Sequence, residues 1–169
     1  MKIDGYALRE AIKQWELRKE VAERAFTGSL HKFKDEEKET PQQVVTAYLQ
    51  AEDAISKLQV AQMRYNLAIK VEVQGAAMSL AEAIKRSGSA GRIEKMWKTA
   101  TPQERHHRYG EDGLTRVPGQ ERAEGTIDVK TTVSLATQAG KRSGAFRAAI
   151  ATANAVKAEI EDLNPALFE

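Results

Sequence analysis

From Leu8 onward, apolar side chains fall at Leu8, Ala11, Ile12, Trp15, Ala22, Ala25 and Phe26. These steps of three and four place them on one side of a helix while Arg9, Lys13, Glu16, Glu20 and Glu23 face water. Gly28 and Ser29 weaken the pattern, and the charged run from Lys32 to Glu39 has no apolar period, so this first helix is expected to end in a solvated turn. Thr40-Pro41-Gln42-Gln43 then has the makings of a helix start: a hydroxyl to accept an unpaired backbone N–H, proline where its missing donor is harmless, and glutamine three residues on to close a capping box. Behind it Val44, Tyr48, Ala51, Ile55, Leu58, Gln62, Tyr65 and Ile69 follow a heptad seam, as in a coiled coil, which predicts an antiparallel helical hairpin over residues 1–73. Gln62 inside the seam reads two ways, as a register-fixing polar residue or as a partly exposed one at the hairpin edge.

Beyond the hairpin, Gln74-Gly75 marks a break and Ser79-Leu80-Ala81-Glu82 forms a second capping box. The helix it opens, residues 79–98, is expected to be short and interrupted, since Gly88 and Gly91 each cost roughly 1 kcal/mol in a helix interior. Residues 101–125 carry two prolines and four glycines and predict one long irregular loop. The β-branched run from Thr126 to Val133 reads as a short strand, followed by a long C-terminal helix that closes at Asn164, before Pro165. Within that helix Ala136, Gly140, Gly144 and Ala148 form a row of small residues that lets another backbone approach closely. The expected fold is mainly α: a single helical domain over 1–169, made of a long antiparallel helical hairpin, further helices, and one long irregular loop with at most a short β element.

Composition sharpens this picture. In 169 residues, 41% are hydrophobic, 30% charged and 6% aromatic, a balance of long amphipathic helices rather than of a sandwich or barrel. Cysteine is absent, which removes disulfides, thiolate metal sites and thiol nucleophiles, and no window is apolar enough to span a bilayer. A cytoplasmic protein is expected, paired with further copies of itself through its helical seams, with no membrane attachment.

The net charge of +2 hides local clustering. From Lys85 to Lys98, five cations (Lys85, Arg86, Arg92, Lys95 and Lys98) stand against Glu94, and Lys141, Arg142 and Arg147 form a second basic knot. Both clusters contain the tetrapeptide Lys-Arg-Ser-Gly, at 85–88 and 141–144. Charge, a planar guanidinium fork, the hydroxyls of Ser87 and Ser143 and glycine-opened backbone are what a phosphate group requires. The plainer reading is a pair of solvated helix faces. In the loop, Arg105, Arg108 and Tyr109 could grip or stack on a nucleotide, whereas His106 and His107 are adjacent and point apart, so no metal site is expected there. His31 reads as a surface residue, and Trp15 and Trp97 as core or interface anchors, with base stacking as the sharper alternative. No Ser-His-Asp arrangement or paired carboxylates stand out, which disfavours an enzyme.

The seam ending in Met63-Arg64-Tyr65-Asn66, the segment Ser79-Leu80-Ala81-Glu82-Ala83-Ile84, and Thr126-Ile127-Asp128-Val129 ahead of a helix closing with Ile160-Glu161-Asp162-Leu163-Asn164 together resemble a small bacterial helical family of unknown activity, some members of which carry the name septicolysin. That resemblance implies a helical fold and, through the name, pore formation; it implies no catalytic residues and no cofactor.

The sequence therefore points to a non-enzymatic, oligomeric helical protein that binds, and by binding sequesters, a phosphate-bearing small molecule such as a nucleotide or nucleotide-derived signal. Its candidate ligand contacts are Lys85, Arg86, Ser87, Arg92, Arg105, Arg108, Tyr109, Lys141, Arg142 and Ser143. The alternative is a helical-hairpin scaffold with no small ligand. Nucleic-acid binding ranks lower, because a balanced net charge gives weak attachment to a phosphate backbone.

Overall fold

The computed structural model describes residues 1–34, 36–100 and 127–168. In chain order these form β1 (Lys2–Ile3), α1 (Gly5–Ser29), α2 (Pro41–Ala68), β2 (Lys70–Val73), β3 (Ala76–Ser79), α3 (Leu80–Ala100), α4 (Val129–Asn154) and β4 (Ala158–Glu159), with a 3-10 turn at Pro165–Phe168. The protein is mainly α, as the apolar spacing predicts. It divides into two compact units, Met1–Ile84 with Ala148–Glu169, and Lys85–Arg147.

In the first unit α1 and α2 pack as the antiparallel hairpin. Helix α1 starts where the Asp4 carboxylate accepts the Ala7 N–H at 2.9 Å. Helix α2 starts at the full capping box: the Gln43 N–H donates to the Thr40 hydroxyl at 3.3 Å, and the Thr40 N–H to the Gln43 side chain at 2.8 Å, with Pro41 at the first helical position. The seam residues Val44, Ala51, Ile55, Leu58 and Tyr65 are buried, and Ala54 and Ala61 complete the layer. Gln62 is half-buried, in accord with the hairpin-edge reading. Leu8, Ala11, Ile12 and Ala22 supply the facing side of α1, whereas Phe26, expected inward, is 40% exposed.

The Gln74-Gly75 break is the turn of a β-hairpin. Both residues have positive φ, 54° and 81°, the pair of left-handed positions that a two-residue hairpin turn demands and that glycine adopts without strain. β2 and β3 pair antiparallel, with Val71, Val73 and Met78 buried and Lys70 and Glu72 exposed. The end of the chain closes the unit. Helix α4 stops at Asn154, ten residues before the predicted Asn164, because the Tyr65 hydroxyl lies 2.7 Å from both the Ala153 and the Val156 carbonyl oxygens and the chain turns there. It then pairs as β4 against β1, Ile3 opposite Ala158, and buries Ile160 and Leu163.

In the second unit two expectations are corrected. Helix α3 runs unbroken through Gly88 and Gly91, so it is neither short nor interrupted. The β-branched run forms no strand over its described residues: the Asp128 carboxylate accepts the Thr131 N–H at 2.9 Å and the Thr131 hydroxyl at 2.6 Å, capping α4 from Val129 onward. A local cap here outweighs the β preference of Val129, Thr131, Thr132 and Val133. The predicted loop 101–125 lies outside the described residues.

Candidate functional site

Among the described residues of the second unit, the candidate basic residues sit on α3 and α4. Lys85, Arg86 and Arg92 are exposed on α3, Lys141 and Arg142 on α4, Ser87 is half-buried and Ser143 buried. Arg105, Arg108 and Tyr109 lie outside the described residues. Both Lys-Arg-Ser-Gly tetrapeptides are helical, so their backbone N–H groups are engaged in helix bonds, and only side chains remain to meet an anion. Arg92 folds back along its own helix, its guanidinium 3.7 Å from where a Cβ on Gly88 would stand.

In the sequence Glu94 is the lone acid among cations; in the structure it links the described helices of the unit. Its carboxylate takes the Lys98 ammonium at 2.7 Å and the Arg147 guanidinium at 3.5 Å, and accepts the Ser143 hydroxyl. The Lys98 bond, then the Ser143 bond, hold the Glu94 carboxyl below the usual carboxylate range. Ser143, nominated as a phosphate donor, is thus committed to a carboxylate. Arg147 is partly neutralised in the same way.

A Cβ added at Gly140 would meet Glu94 at an ordinary 3.6 Å, and at Gly144 it would meet nothing within 4 Å among the described residues. Neither glycine has another backbone against it among the described residues of the chain. The glycine that does admit a close neighbour is Gly5 in the first unit, where a Cβ would collide with the Asn154 side chain and come within 2.9 Å of the Tyr65 ring. No pattern in the sequence marks Gly5, since its neighbour Asn154 is distant in the chain.

Two hollows merit comparison as ligand sites. One, of about 200 Å³ between α3 and α4 in the second unit, is lined by Ala90, Ile93, Trp97, Leu135, Ala139, Gln138 and Arg142. It joins an indole, an aliphatic floor, an amide and a guanidinium, with no acid among the described lining residues. The other, of about 370 Å³ in the first unit, lies between α2 and the C-terminal segment. There Lys57 and Arg64 are matched by Glu161 and Asp162, which cancels selectivity for anions.

Trp15, expected as an anchor, is one: its indole N–H donates to the Leu167 carbonyl at 2.8 Å, and Arg18 stacks over its ring at 4.4 Å. Across the hairpin Lys19 meets Glu52 at 2.8 Å and lies over the Tyr48 ring. The hydrogen bond between them raises the Lys19 pKa and lowers that of Glu52. Among the described residues no cluster of His, Asp or Glu has the arrangement of a metal site, and no helix is long and apolar enough to cross a membrane. Comparison of the chain with protein-family models, with curated proteins and with solved structures yields no match.

Proposed function

We propose that this protein binds a phosphate-bearing small molecule, such as a nucleotide or nucleotide-derived signal, and acts by holding it rather than by transforming it. The observation that carries this reading is the α3–α4 cleft, where Trp97 and Arg142 border one apolar hollow. At about 200 Å³ the cleft is small for a whole nucleotide and suits its flat part. The base lies against the indole, Gln138 meets its polar edge, and the phosphates stay at the rim within the field of Arg142, with Lys141 next to it in the chain. Lys85, Arg86 and Arg92 add to the positive potential of the same unit and favour anion capture.

Isothermal titration with purine and pyrimidine nucleotides, together with mass spectrometry of heat-extracted protein, tests this reading. The expected outcome is saturable binding that Arg142→Ala and Trp97→Ala each weaken about tenfold or more, the loss of one charge-assisted bond or one stacking surface. Absence of heat with every nucleotide at millimolar concentration, or unchanged affinity in both variants, overturns it. The second reading, a helical-hairpin scaffold without a small ligand, draws on the large apolar side chains that α2 leaves exposed, Leu49, Met63 and Leu67. Arg86→Ala with Arg92→Ala separates the two, since a scaffold keeps its function when those cations go.

A further inference from the structure

The heptad seam of α2 is consumed within the chain, against α1. The same helix carries a second apolar line that α1 does not cover: Val45, Leu49, Val60, Met63 and Leu67, respectively 42%, 60%, 44%, 60% and 62% exposed. At 100° per residue these five positions, together with Ser56, fall within a narrow sector on the side of the helix away from the buried seam. Isolated apolar residues on a surface need no explanation, but a line of five running the length of a helix marks a contact face.

The positions along that line show what fits it. Val45 stands as many residues before Ser56 as Leu67 stands after it, and Leu49 as many before as Met63 after. A line with this symmetry is complementary to itself when a second copy runs antiparallel and crosses at Ser56: Val45 meets the partner's Leu67, Leu49 meets the partner's Met63, and the two Ser56 residues meet each other. The flanking charges obey the same symmetry. Asp53 and Lys57 lie on one flank, where they already pair within the helix at 2.5 Å. In the antiparallel arrangement the partner's Lys57 falls about 3 Å along the axis from Asp53, given a rise of 1.5 Å per residue. Along that edge the order is then Asp53, the partner's Lys57, Lys57 and the partner's Asp53, so each acid has the partner's cation as its nearest charge across the contact. On the opposite flank, Gln59 comes level with the partner's Glu52 and can donate to it. In an in-register parallel pairing the flank of Asp53 lies against the partner's opposite flank, so Asp53 stands about 1.5 Å along the axis from the partner's Glu52, acid against acid, which is repulsive.

We propose that the outward face of α2 is the surface through which two copies of this chain pair, antiparallel, about a two-fold axis at Ser56. The contact is isologous, uses neither the α3–α4 cleft nor the hairpin seam, and gives the oligomer a defined register. It stands or falls independently of the nucleotide reading.

The test uses the full chain. Light scattering or sedimentation velocity is expected to show a dimer, which Leu49→Glu with Met63→Glu converts to monomer while circular dichroism keeps its helical signal, because both side chains are exposed. The chain has no cysteine, so a single Ser56→Cys substitution reports the register without background. Under mild oxidation it is expected to cross-link to itself, while a cysteine at exposed Glu72 does not. A wild-type monomer at every concentration overturns the proposal, as does a dimer that survives the double substitution or a Ser56→Cys protein that fails to cross-link as a dimer.

Discussion

In the unit formed by residues 1–84 and 148–169, Leu8, Leu58, Tyr65 and Leu80 have no solvent exposure at all, and each packs where a seam or a strand alternation calls for an apolar residue. In the unit of residues 85–147 the buried groups include Thr132 and Ser143 beside Ala90 and Phe146, and Glu94 of α3, paired with Lys98 on its own helix, reaches Arg147 and Ser143 on α4. The first unit is held by close packing and buried hydrogen bonds; the described part of the second buries fewer apolar side chains and adds a charged tie between its two helices. Packing is insensitive to salt but intolerant of any change in shape; a charge network tolerates changes in shape but is screened by salt and undone by acid. A candidate ligand site in the second unit has cations in reach that can redirect toward an anion, whereas groups such as the Tyr65 hydroxyl in the first unit are fully committed.

The sharpest way to break this contrast is Gly5→Ala. The added methyl has no space between Asn154 and Tyr65, and overpacking of this kind costs about 1–3 kcal/mol, read as a lowered melting temperature. Next comes Tyr65→Phe, which removes a hydroxyl that donates toward the Ala153 and Val156 carbonyls and accepts the Gly5 N–H. The Ala153 carbonyl keeps the Val156 N–H, but the Val156 carbonyl and the Gly5 N–H lose this partner, at an expected cost of about 1–3 kcal/mol. Burial raises the Tyr65 pKa above its usual 10.0, so the unfolded chain loses this proton first as pH climbs. Its contribution is intact below pH 10.0 and is lost as pH rises through the folded value. Alkaline melts of the wild type should show that loss, and Tyr65→Phe should lack it. The smallest effect belongs to Glu94→Gln. The Glu94 pKa is lowered, so its contribution is present above the ordinary value of 4.5 and disappears as pH falls through the folded one. Melts of the variant should lie below the wild type at neutral pH and low salt, and the two should converge in high salt or in acid.

The helices were most legible where their signals are local. The capping box at Thr40–Gln43 and the seam behind it need only a dozen neighbouring residues to be read, and α2 begins where they place it. The β2–β3 hairpin was legible in principle, since Lys70-Val71-Glu72-Val73 alternates ahead of Gln74-Gly75, but a four-residue strand beside a heptad seam is easily read as the seam's end. The unbroken α3 and the early stop of α4 were not legible, because each is decided by a partner far along the chain. Glycine's helix penalty of roughly 1 kcal/mol is small beside the burial of Ala90 and the ionic ties of Glu94. The turn after Asn154 depends on a tyrosine from α2. Of the nominated ligand contacts, Arg142 borders the cleft and Ser143 turns inward to Glu94; the apolar partners that give Arg142 a cleft at all, Trp97, Ile93 and Leu135, come together only through tertiary packing.

The clasp between β1 and β4 bears on the order in which the molecule assembles. The Met1 ammonium donates to the Ile160 carbonyl at 2.9 Å, and the Ile160 N–H returns a bond to the Met1 carbonyl, across a separation of 159 residues. During synthesis the α1–α2 hairpin emerges long before the segment that covers Ile3 and Gly5. The first unit must therefore wait, with its Tyr65 hydroxyl unsatisfied by protein, until residues 153–160 have been made. Closure over so great a contour length is entropically slow, which makes docking of residues 148–168 onto the hairpin the natural late step of folding.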